Sequence, residues 1–360
     1  MELAVACGYS GMGLSEYAAV AAAADRLGYA SAWVSEAYGS DAPTVLAWLA
    51  AHTQRIGLGA AVMQIPGRTP AMTAMTAATL DTLSGGRFTL GLGVSGPQVS
   101  EGWHGVRFAA PLSRTREYVQ IVRAALRRET LVYEGRHFTL PLPDGPGRPL
   151  RLSSHPPRPD LPIHLAAVGA RNLRLAGEIA DGWLAVFFSP EHGATLLECV
   201  REGRAAMGKG APDNPMAGFE VVATVPVVLT DDLMDARAAL APYVALYLGG
   251  MGSRQQNFYN RLARSMGFDG AAQRIQDLYL AGQREQAADA VPVELVDATA
   301  LIGPIDRIAE RLTRYAAAGV TTLAVAPYGH TIEDRLAVLR AVADRNPEFM
   351  AGARAGLPRG

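Results

Sequence analysis

Short apolar segments alternate with amphipathic segments from the first residues of the chain. The apolar segments are rich in Val, Leu and Ala on consecutive positions, which is typical of parallel strands buried on both faces. They predict eight strands, at residues 2–7, 31–35, 55–62, 88–93, 163–167, 182–186, 219–228 and 322–326. Eight strands that alternate with helices indicate an α/β fold, namely a (β/α)8 TIM barrel.

The segments between the strands carry helical periodicity and helix end signals. Three clear helices are predicted, at residues 15–27, 113–127 and 304–318. Ser113 is the expected N-cap of the second helix, and Pro304 opens the third.

Two segments do not fit the alternation of strands and helices. Residues 129–161 combine an apparent hairpin with a loop rich in Pro, Gly and Arg, and residues 241–300 add several helices between the seventh and eighth strands. Such insertions usually lie at the C-terminal mouth of a barrel, where they shape substrate access. Because no flexible linker is evident, we expect a single domain over residues 1–345, followed by a C-terminal tail at 346–360.

Composition narrows the class of protein. Of 360 residues, 49% are hydrophobic and 19% are charged, which predicts a packed core rather than disorder. The net charge of −1 disfavours a nucleic-acid partner, which requires a basic patch. No apolar run reaches the ~18–20 residues that cross a bilayer, and the first residues lack the pattern of a signal peptide. We therefore expect a cytoplasmic protein that binds a small molecule, without a membrane partner.

The cysteine, histidine and lysine content disfavours several chemistries. Cys7 and Cys199 form neither a disulfide framework nor a metal motif, which is consistent with a reducing cytoplasm. The seven histidines show no metal-binding spacing, so we expect no metal. Lys209 is the single lysine and lies in a polar stretch, which disfavours Schiff-base catalysis.

A glycine-rich segment follows the fourth predicted strand, with Gly91, Gly93 and Gly96 in G-x-G-x-x-G spacing. This spacing alone is typical of a Rossmann dinucleotide site, but that fingerprint normally follows the first strand of a domain. The acidic residue at about the required distance, Glu117, lies inside a predicted helix. We therefore interpret the segment as a floor for a flat ring or a phosphate, with the amides of Ser95 and Gly96 as donors. Tight packing without a ligand is the alternative.

Three further strand ends carry candidate site residues. Small residues after the third strand suit one wall of a flat tricyclic ring, and the turn after the fifth strand suits a phosphate with Arg171 as counter-charge. Glu36 follows the second strand and is a candidate for placing or exchanging a proton. His104 is a candidate for substrate binding or proton transfer. For each, an ordinary structural role is the alternative.

The candidate residues fall into three groups. The catalytic candidates are Glu36 and His104. The cofactor-binding candidates are Ala60, Ala61, Val62, Gly93, Ser95, Gly96, Ala167, Gly169, Ala170 and Arg171. The residues expected around the substrate pocket are Tyr9, Ser10, Tyr38, Trp103, Tyr247 and Tyr328.

Five segments together resemble the bacterial-luciferase-like superfamily and, within it, the F420-dependent oxidoreductases. They are TLDTLSGGRFTLGLGVSGPQVSEGW at 79–103, RTPAMTAMTA at 68–77, PLSRTREYVQIVRAAL at 111–126, AGEIADGWL at 176–184 and GPIDRIAERLTRYAAAGVTTLAV at 303–325. The resemblance extends over residues 1–345. It implies a barrel with the cofactor ring at the C-terminal mouth, usually in a homodimer. It also implies a non-prolyl cis peptide bond after the third strand, at Ala61–Val62 or Ala60–Ala61.

The chain departs from the family pattern at two positions. Glu36 stands where deazaflavin relatives commonly carry His, and Val94 stands where relatives that act on sugar phosphates or alcohols carry Glu. Both departures disfavour those substrates. The resemblance implies hydride transfer between coenzyme F420 and a C=C, C=N or C=O bond of a small organic substrate. Two alternatives stay open: an FMN-dependent two-component monooxygenase, and a non-catalytic deazaflavin- or ligand-binding protein.

Overall fold

A computed structural model of the protein describes residues 1–8, 11–252 and 254–346. Tyr9 and Ser10, which are predicted for the substrate pocket, lie outside the described residues. So does nearly all of the predicted tail, residues 347–360.

Each of the eight predicted strands is present, and several short strands are added. The strands are β1 (Glu2–Cys7), β2 (Ser31–Val34), β3 (Gly57–Ala60), β4 (Met63–Gln64), β5 (Phe88–Gly93), β6 (Tyr133–Glu134), β7 (Thr139–Leu140), β8 (Ile163–Ala166), β9 (Gly182–Val186), β10 (Glu220–Leu229), β11 (Leu301–Gly303) and β12 (Thr322–Pro327). The antiparallel pair β6–β7 confirms the predicted hairpin.

Helices separate the parallel strands. They are α1 (Leu14–Leu27), α2 (Ala42–His52), α3 (Pro70–Leu83), α4 (Pro97–Gly102), α5 (Pro111–Leu126), α6 (Ala170–Ile179), α7 (Ala194–Ala206), α8 (Leu233–Ala245), α9 (Phe258–Ser265), α10 (Asp269–Leu280), α11 (Arg284–Asp289), α12 (Val293–Thr299), α13 (Ile305–Ala317) and α14 (Ile332–Asp344). A 3₁₀ turn (Ile65–Gly67) follows β4, and a π-helix (Leu246–Gly250) extends α8. This alternation with parallel strands confirms the predicted α/β class and (β/α)8 barrel.

The chain divides into two compact units. Unit 1 comprises residues 1–33, 184–198 and 220–360, of which the last described residue is Asn346. Its parallel strands pair in the order β11, β10, β12, β1. These strands are almost entirely buried: every residue of β12 is inaccessible to solvent or nearly so, which explains the unbroken apolar run that predicted it.

Unit 2 comprises residues 34–183 and 199–219. In this unit β3, β5 and β8 pair in parallel, and β4 also pairs with β5. A buried ion pair supports the start of β5: Arg158 bonds the carboxylate of Asp81, which is inaccessible to solvent, and the carbonyl of Phe88.

The structure corrects the predicted start of the helix at 113–127. Helix α5 begins at Pro111, and its N-cap is Ala110 in the left-handed region (φ 45°) rather than Ser113. The Ser113 hydroxyl instead contacts Nε2 of His137 at 2.7 Å. Glu117 accepts hydrogen bonds from the backbone amides of residues 136–138, so this helix holds the hairpin.

The insertion at 241–300 is helical, as predicted. It contains the end of α8, the π-helix and α9 to α12. Among the helices of the described ranges, none combines the length and apolar character required to cross a bilayer.

Candidate functional site

The end of β3 is interrupted by a bulge against β5. Strand β3 pairs Gly59 with Thr89, and β4 pairs Met63 with Leu92, so three intervening residues on one side face two on the other. The peptide bond Ala61–Val62 within this bulge is cis. The cis bond therefore lies at the first of the two positions that the resemblance implies, and the alternative at Ala60–Ala61 is wrong.

Gly93 lies directly against the bulge. A Cβ at position 93 would lie 2.5 Å from Cγ2 of Val62 and 3.6 Å from Cβ of Ala166. The first distance is shorter than any normal contact, so this position accepts only glycine unless Val62 moves. Val62, Gly93 and Ala166 together form a surface of small side chains at the ends of neighbouring strands.

Glu36 is fully engaged by hydrogen-bond donors. Its Oε1 accepts from the Gln64 amide at 3.0 Å and from Arg68 Nη1 at 2.6 Å. Its Oε2 accepts from the Ala42 amide at 2.9 Å and from Arg68 Nη2 at 2.9 Å. The side chain of Glu36 is 6% exposed and that of Arg68 is 18% exposed. The Glu36 carboxylate thus links the loop after β2 to the start of α2, to Gln64 at the end of β4 and to Arg68.

Two buried polar atoms beside this network have no hydrogen-bond partner among the described residues: Oε1 of Gln64 and Nε2 of His104. The amide nitrogen of the Gln64 side chain donates to the Ala37 carbonyl at 2.5 Å. The His104 ring packs over Gly67, where a Cβ would lie 3.1 Å from Cε1. Buried polar atoms without a partner are costly, so these two are candidates for contact with a ligand.

The turn after β8 contains the remaining cofactor candidates. Gly169 is the N-cap of α6, and no side chain caps this helix end. Arg171 is exposed and has no ion pair with a described residue. The Ala167 carbonyl accepts from Trp183 Nε1 at 2.9 Å, which anchors the turn. This arrangement leaves backbone amides of the first turn, and one guanidinium, available to an anion.

Ser95 and Gly96 lie between β5 and α4. Ser95 is in the left-handed region (φ 60°), and Gly96 is the N-cap of α4, which has six residues. Beside them lies a small pocket that is partly open to solvent. It is lined by Ile65, Pro66, Val94, Ser100, Arg107, Phe108, Ala109, Pro111 and Arg114. Nε of Arg114 is buried and lacks an acceptor among the described residues.

The residues predicted for the substrate pocket lie in different environments. In unit 2, Tyr38 is 58% exposed and Trp103 is 66% exposed. In unit 1, Tyr247 is 6% exposed, so it is a packed residue rather than part of an open rim. Tyr328 follows β12, is half-buried, and its amide donates to the Val227 carbonyl at 3.0 Å.

The family model for luciferase-like monooxygenases matches residues 2–322. The chain belongs to the luciferase-like monooxygenase family. A protein of Mycobacterium tuberculosis, named as a candidate coenzyme F420-dependent oxidoreductase, is 44% identical over 331 residues, which are 90% of this chain and 94% of that protein. This family membership confirms the resemblance inferred from the five sequence segments.

Two more distant relatives also match most of the chain. A 5,10-methylenetetrahydromethanopterin reductase of Archaeoglobus fulgidus is 27% identical over 308 residues, which are 85% of this chain and 88% of that protein. The solved structure of a coenzyme F420-dependent tetrahydromethanopterin reductase from Methanopyrus kandleri superposes with a TM-score of 0.79 at 22% identity. The match covers 94% of this chain and 97% of that one, and it shows the shared barrel fold.

Sequence reasoning missed three residues of this candidate site: Gln64, Arg68 and Arg114. Arg68 lies in a segment that carried the family resemblance, but only the folded chain brings it to Glu36, 32 residues away. Arg114 is one of many arginines in the sequence, and its buried nitrogen is visible only in the structure. Among the described residues, no group of three or more His, Cys, Asp or Glu side chains is arranged to hold a metal ion.

Proposed function

We propose that this luciferase-like protein is an oxidoreductase that transfers a hydride between coenzyme F420 and a C=C, C=N or C=O bond of a small organic substrate. The observation that carries the proposal is the 44% identity, across 90% of the chain, to a relative whose name specifies F420. The more distant reductase of Archaeoglobus fulgidus supports an oxidoreductase over a passive binding protein.

The small-residue surface around the bulge fits a flat ring. Gly93 has no side chain, and a Cβ there would collide with Val62. No bulky side chain therefore projects from position 93 between the strand ends. Ala60 and Ala61 precede Val62 in the chain and Ala167 follows Ala166, and all three have methyl side chains. We propose that Ala60, Ala61, Val62, Gly93 and Ala167 hold the ring of the cofactor.

The charged part of the cofactor needs donors and a counter-charge. We propose that the amides of Gly169 and Ala170, at the uncapped start of α6, bind the phosphodiester, with Arg171 as its counter-charge. Ser95 and Gly96 are proposed to donate from the turn after β5. When bound, F420 supplies a ring carbon, C5, that gives or accepts the hydride.

Glu36 is better suited to positioning than to proton transfer. A carboxylate that already accepts four hydrogen bonds, two of them from a guanidinium, has little capacity to exchange a proton with a substrate. We propose that Glu36, with Arg68, holds the segment from Gln64 to Gly67 in place. His104 stays our catalytic candidate, because its buried Nε2 has no hydrogen-bond partner within the described ranges and is available to a substrate oxygen or nitrogen.

The rival function is an FMN-dependent monooxygenase, since the matching family model is described as a luciferase-like monooxygenase. The cofactor decides between the two, because a deazaflavin has carbon in place of N5 and is a poor activator of oxygen. The predicted homodimer, single domain and cytoplasmic location stay predictions.

The deciding experiment is a titration of the purified protein with F420 and, separately, with FMN, followed by ring fluorescence. Micromolar or tighter binding of F420, with FMN at least tenfold weaker, supports the proposal. Arg171→Gln should weaken F420 binding, whereas Arg127→Gln, at an exposed ion pair with Glu129, should not. Preference for FMN would contradict the proposal and favour the monooxygenase.

A further inference from the structure

A small pocket beside the start of α5 has no role in the proposed cofactor contacts. It is lined by the two arginines Arg107 and Arg114, by Ser100, and by six apolar residues: Ile65, Pro66, Val94, Phe108, Ala109 and Pro111. We call it the α5 pocket. All of its lining residues belong to unit 2, as do the residues proposed to hold the cofactor ring.

Arg114 brings to the α5 pocket a positive charge that no acidic side chain of the described ranges neutralises. The residue is half-buried, and its Nε is buried without an acceptor. No ion pair or side-chain hydrogen bond joins its guanidinium to another described residue. Arg158 shows the contrast, because it meets the buried carboxylate of Asp81 and the Phe88 carbonyl. A partly buried guanidinium without an acceptor is unfavourable, so Arg114 calls for a negatively charged ligand.

The second arginine of the α5 pocket is offset by a nearby carboxylate. The side chain of Arg107 is 82% exposed, and its Nη1 lies 3.5 Å from Oε1 of Glu101. The same Glu101 oxygen accepts a hydrogen bond from the Phe108 amide at 3.0 Å. Glu101 therefore offsets Arg107, and the charge of Arg114 remains.

Hydrogen bonds hold both walls of the α5 pocket. On one side, the amide of Gln64, which precedes Ile65, donates to Glu36 at 3.0 Å. On the other side, the Ser100 hydroxyl donates to the Val106 carbonyl at 2.7 Å, and the Val106 amide donates to the Ser100 carbonyl at 2.8 Å. A site with walls that are already held loses less free energy to ordering when a ligand binds.

The α5 pocket adjoins the segments that carry the proposed ring surface and the catalytic candidate. Val94 directly follows Gly93, which belongs to the proposed ring surface. Pro66 directly precedes Gly67, over which the ring of His104 packs. A ligand anchored in the pocket is thus flanked by both segments.

The lining favours a carboxylate on an organic body over an inorganic anion. Most of the lining residues are apolar, so they suit carbon atoms next to the charge. The Ser100 hydroxyl already donates to Val106, which leaves the guanidinium of Arg114 as the main donor. A guanidinium forms two parallel hydrogen bonds with a carboxylate, and this pairing satisfies both oxygens.

We infer that the α5 pocket binds a carboxylate of the substrate, with the Arg114 guanidinium donating two parallel hydrogen bonds to it. This inference rests on the proposed function for the identity of the ligand as a substrate. It narrows the substrate class from small organic molecules to organic carboxylates that carry a further C=C, C=N or C=O bond.

The test compares two probes of nearly the same shape. Benzoate carries a carboxylate on an apolar ring, and benzamide carries a neutral amide in its place. We expect calorimetry on the full chain to show benzoate binding at least about tenfold tighter, which is about 1.4 kcal/mol. Equal affinities, or no binding of benzoate at millimolar concentration, would overturn the inference. Inorganic phosphate should bind more weakly than benzoate, and the reverse order would contradict a site for an organic carboxylate.

Variants locate the binding. Arg114→Met keeps a long side chain and removes the charge, so the preference for benzoate should disappear. Arg114→Lys keeps the charge but not the two parallel hydrogen bonds, so it should retain only part of the preference. Arg127→Gln is the matched control, at an exposed ion pair next to the other end of α5, and should keep the full preference. An unchanged preference in Arg114→Met would contradict the inference.

Thermal unfolding distinguishes a ligand-binding role of Arg114 from a structural one. Arg114→Met should not lower the unfolding temperature, because no acceptor among the described residues loses its donor. Arg158→Met should lower it, since the buried carboxylate of Asp81 would lose its partner. Benzoate should raise the unfolding temperature of the wild type and not that of Arg114→Met. A loss in Arg114→Met as large as that in Arg158→Met would assign Arg114 to the structure and overturn the inference.

Titration with F420 separates this inference from the proposed function. Benzoate should bind equally well with and without F420, whereas displacement of benzoate by F420 would assign the α5 pocket to the cofactor and overturn the inference. Binding of F420 without a preference for benzoate would overturn the carboxylate site and leave the proposed function standing. A preference for benzoate that depends on Arg114, without F420 binding, would overturn the proposed function and leave the α5 pocket as a carboxylate site.

Discussion

Arg68 holds the carboxylate of Glu36 in a two-pronged ion pair, with Nη1 2.6 Å from Oε1 and Nη2 2.9 Å from Oε2. The pair is mostly buried, and the same carboxylate accepts the Gln64 amide. Glu36→Ala would leave the guanidinium buried without its partner. Removal of one member of a buried pair costs about 3–5 kcal/mol, so we expect the free energy of unfolding to fall by about that amount in urea denaturation.

The control for this substitution is the exposed pair between Arg127 and Glu129, whose side chains are 50% and 52% exposed. Glu129→Ala should cost less than about 1 kcal/mol. Arg68→Lys should also be destabilising, because an ammonium cannot form the two parallel hydrogen bonds. Equal losses of unfolding free energy in Glu36→Ala and Glu129→Ala would contradict the positioning role of Glu36.

Gly93→Ala tests the contact between β5 and the bulge. The new methyl group would lie 2.5 Å from Cγ2 of Val62, so overpacking should lower stability by about 1–3 kcal/mol and weaken F420 binding. The double variant Gly93→Ala/Val62→Ala should recover part of both losses, because it removes the colliding methyl. Gly102→Ala is the matched control, since a Cβ there has no neighbour within 4 Å. If Gly93→Ala lost no more stability and no more F420 affinity than Gly102→Ala, neither property would require a glycine at position 93.

The two cysteines should differ sharply in reactivity. Cys7 is inaccessible to solvent, and burial raises the pKa of its thiol to about 12, whereas Cys199 is half-exposed. At pH 8 we expect one thiol of the native protein to react with a disulfide reagent and both to react in guanidinium. Cys199→Ser should leave the native protein unreactive. Two fast-reacting thiols in the native wild-type protein would show that β1 opens readily.

The raised pKa of Cys7 also predicts a direction for stability against pH. The thiol of an unfolded chain ionises near its ordinary pKa of about 8.5, whereas the folded chain keeps the proton until about pH 12. The contribution of Cys7 to stability is therefore full below about pH 8.5 and is lost as the pH rises towards 12. Cys7→Ala should flatten this alkaline decline, as measured by urea denaturation at pH 7 to 10. An identical decline in wild type and variant would assign it to other groups.

Asn257 supports the π-helix because its Nδ2 donates hydrogen bonds to the carbonyls of Tyr247 and Leu248. Asn257→Ala should leave the Tyr247 carbonyl buried without its hydrogen bond and lower stability by about 1–3 kcal/mol. The near-ultraviolet circular dichroism of the tyrosines should weaken, because the ring of Tyr247 loses its fixed position. Gln255→Ala, at an exposed neighbouring residue, is the control and should change neither quantity. An unchanged tyrosine signal in Asn257→Ala would mean that ring packing alone holds the π-helix.

The fold was predictable because its signals are local in the sequence. Buried parallel strands appear in a sequence as apolar runs, and all eight predicted strands are present. The last of them, β12, ends one residue later than predicted. Strand β3 was predicted too long, at 55–62, because the bulge that ends it depends on the pairing with β5. The short strand β11 was missed because three residues carry too little periodicity.

The site was predictable only in part, because sequence signals are local whereas the contacts between strand ends are not. Glycines and small residues next to strand ends are visible in the sequence, but the close approach of Val62 to Gly93 is visible only in the structure. The Ser113 N-cap was wrong because Pro111, two residues earlier, already fits the first turn of α5.

The sequence by itself determined the alternation of strands and helices, the family, and which residue types stand at the strand ends. Tertiary structure alone decided which of them meet. It joined Glu36 to Arg68 across 32 positions and packed Phe187 against three tyrosines from the insertion. It also left the Nε2 of His104 buried, with no hydrogen-bond partner in the part of the chain that the structure describes. The reason is that apolar periodicity reports which face of a segment is buried, whereas hydrogen bonds and ring contacts between distant segments depend on how those segments pack.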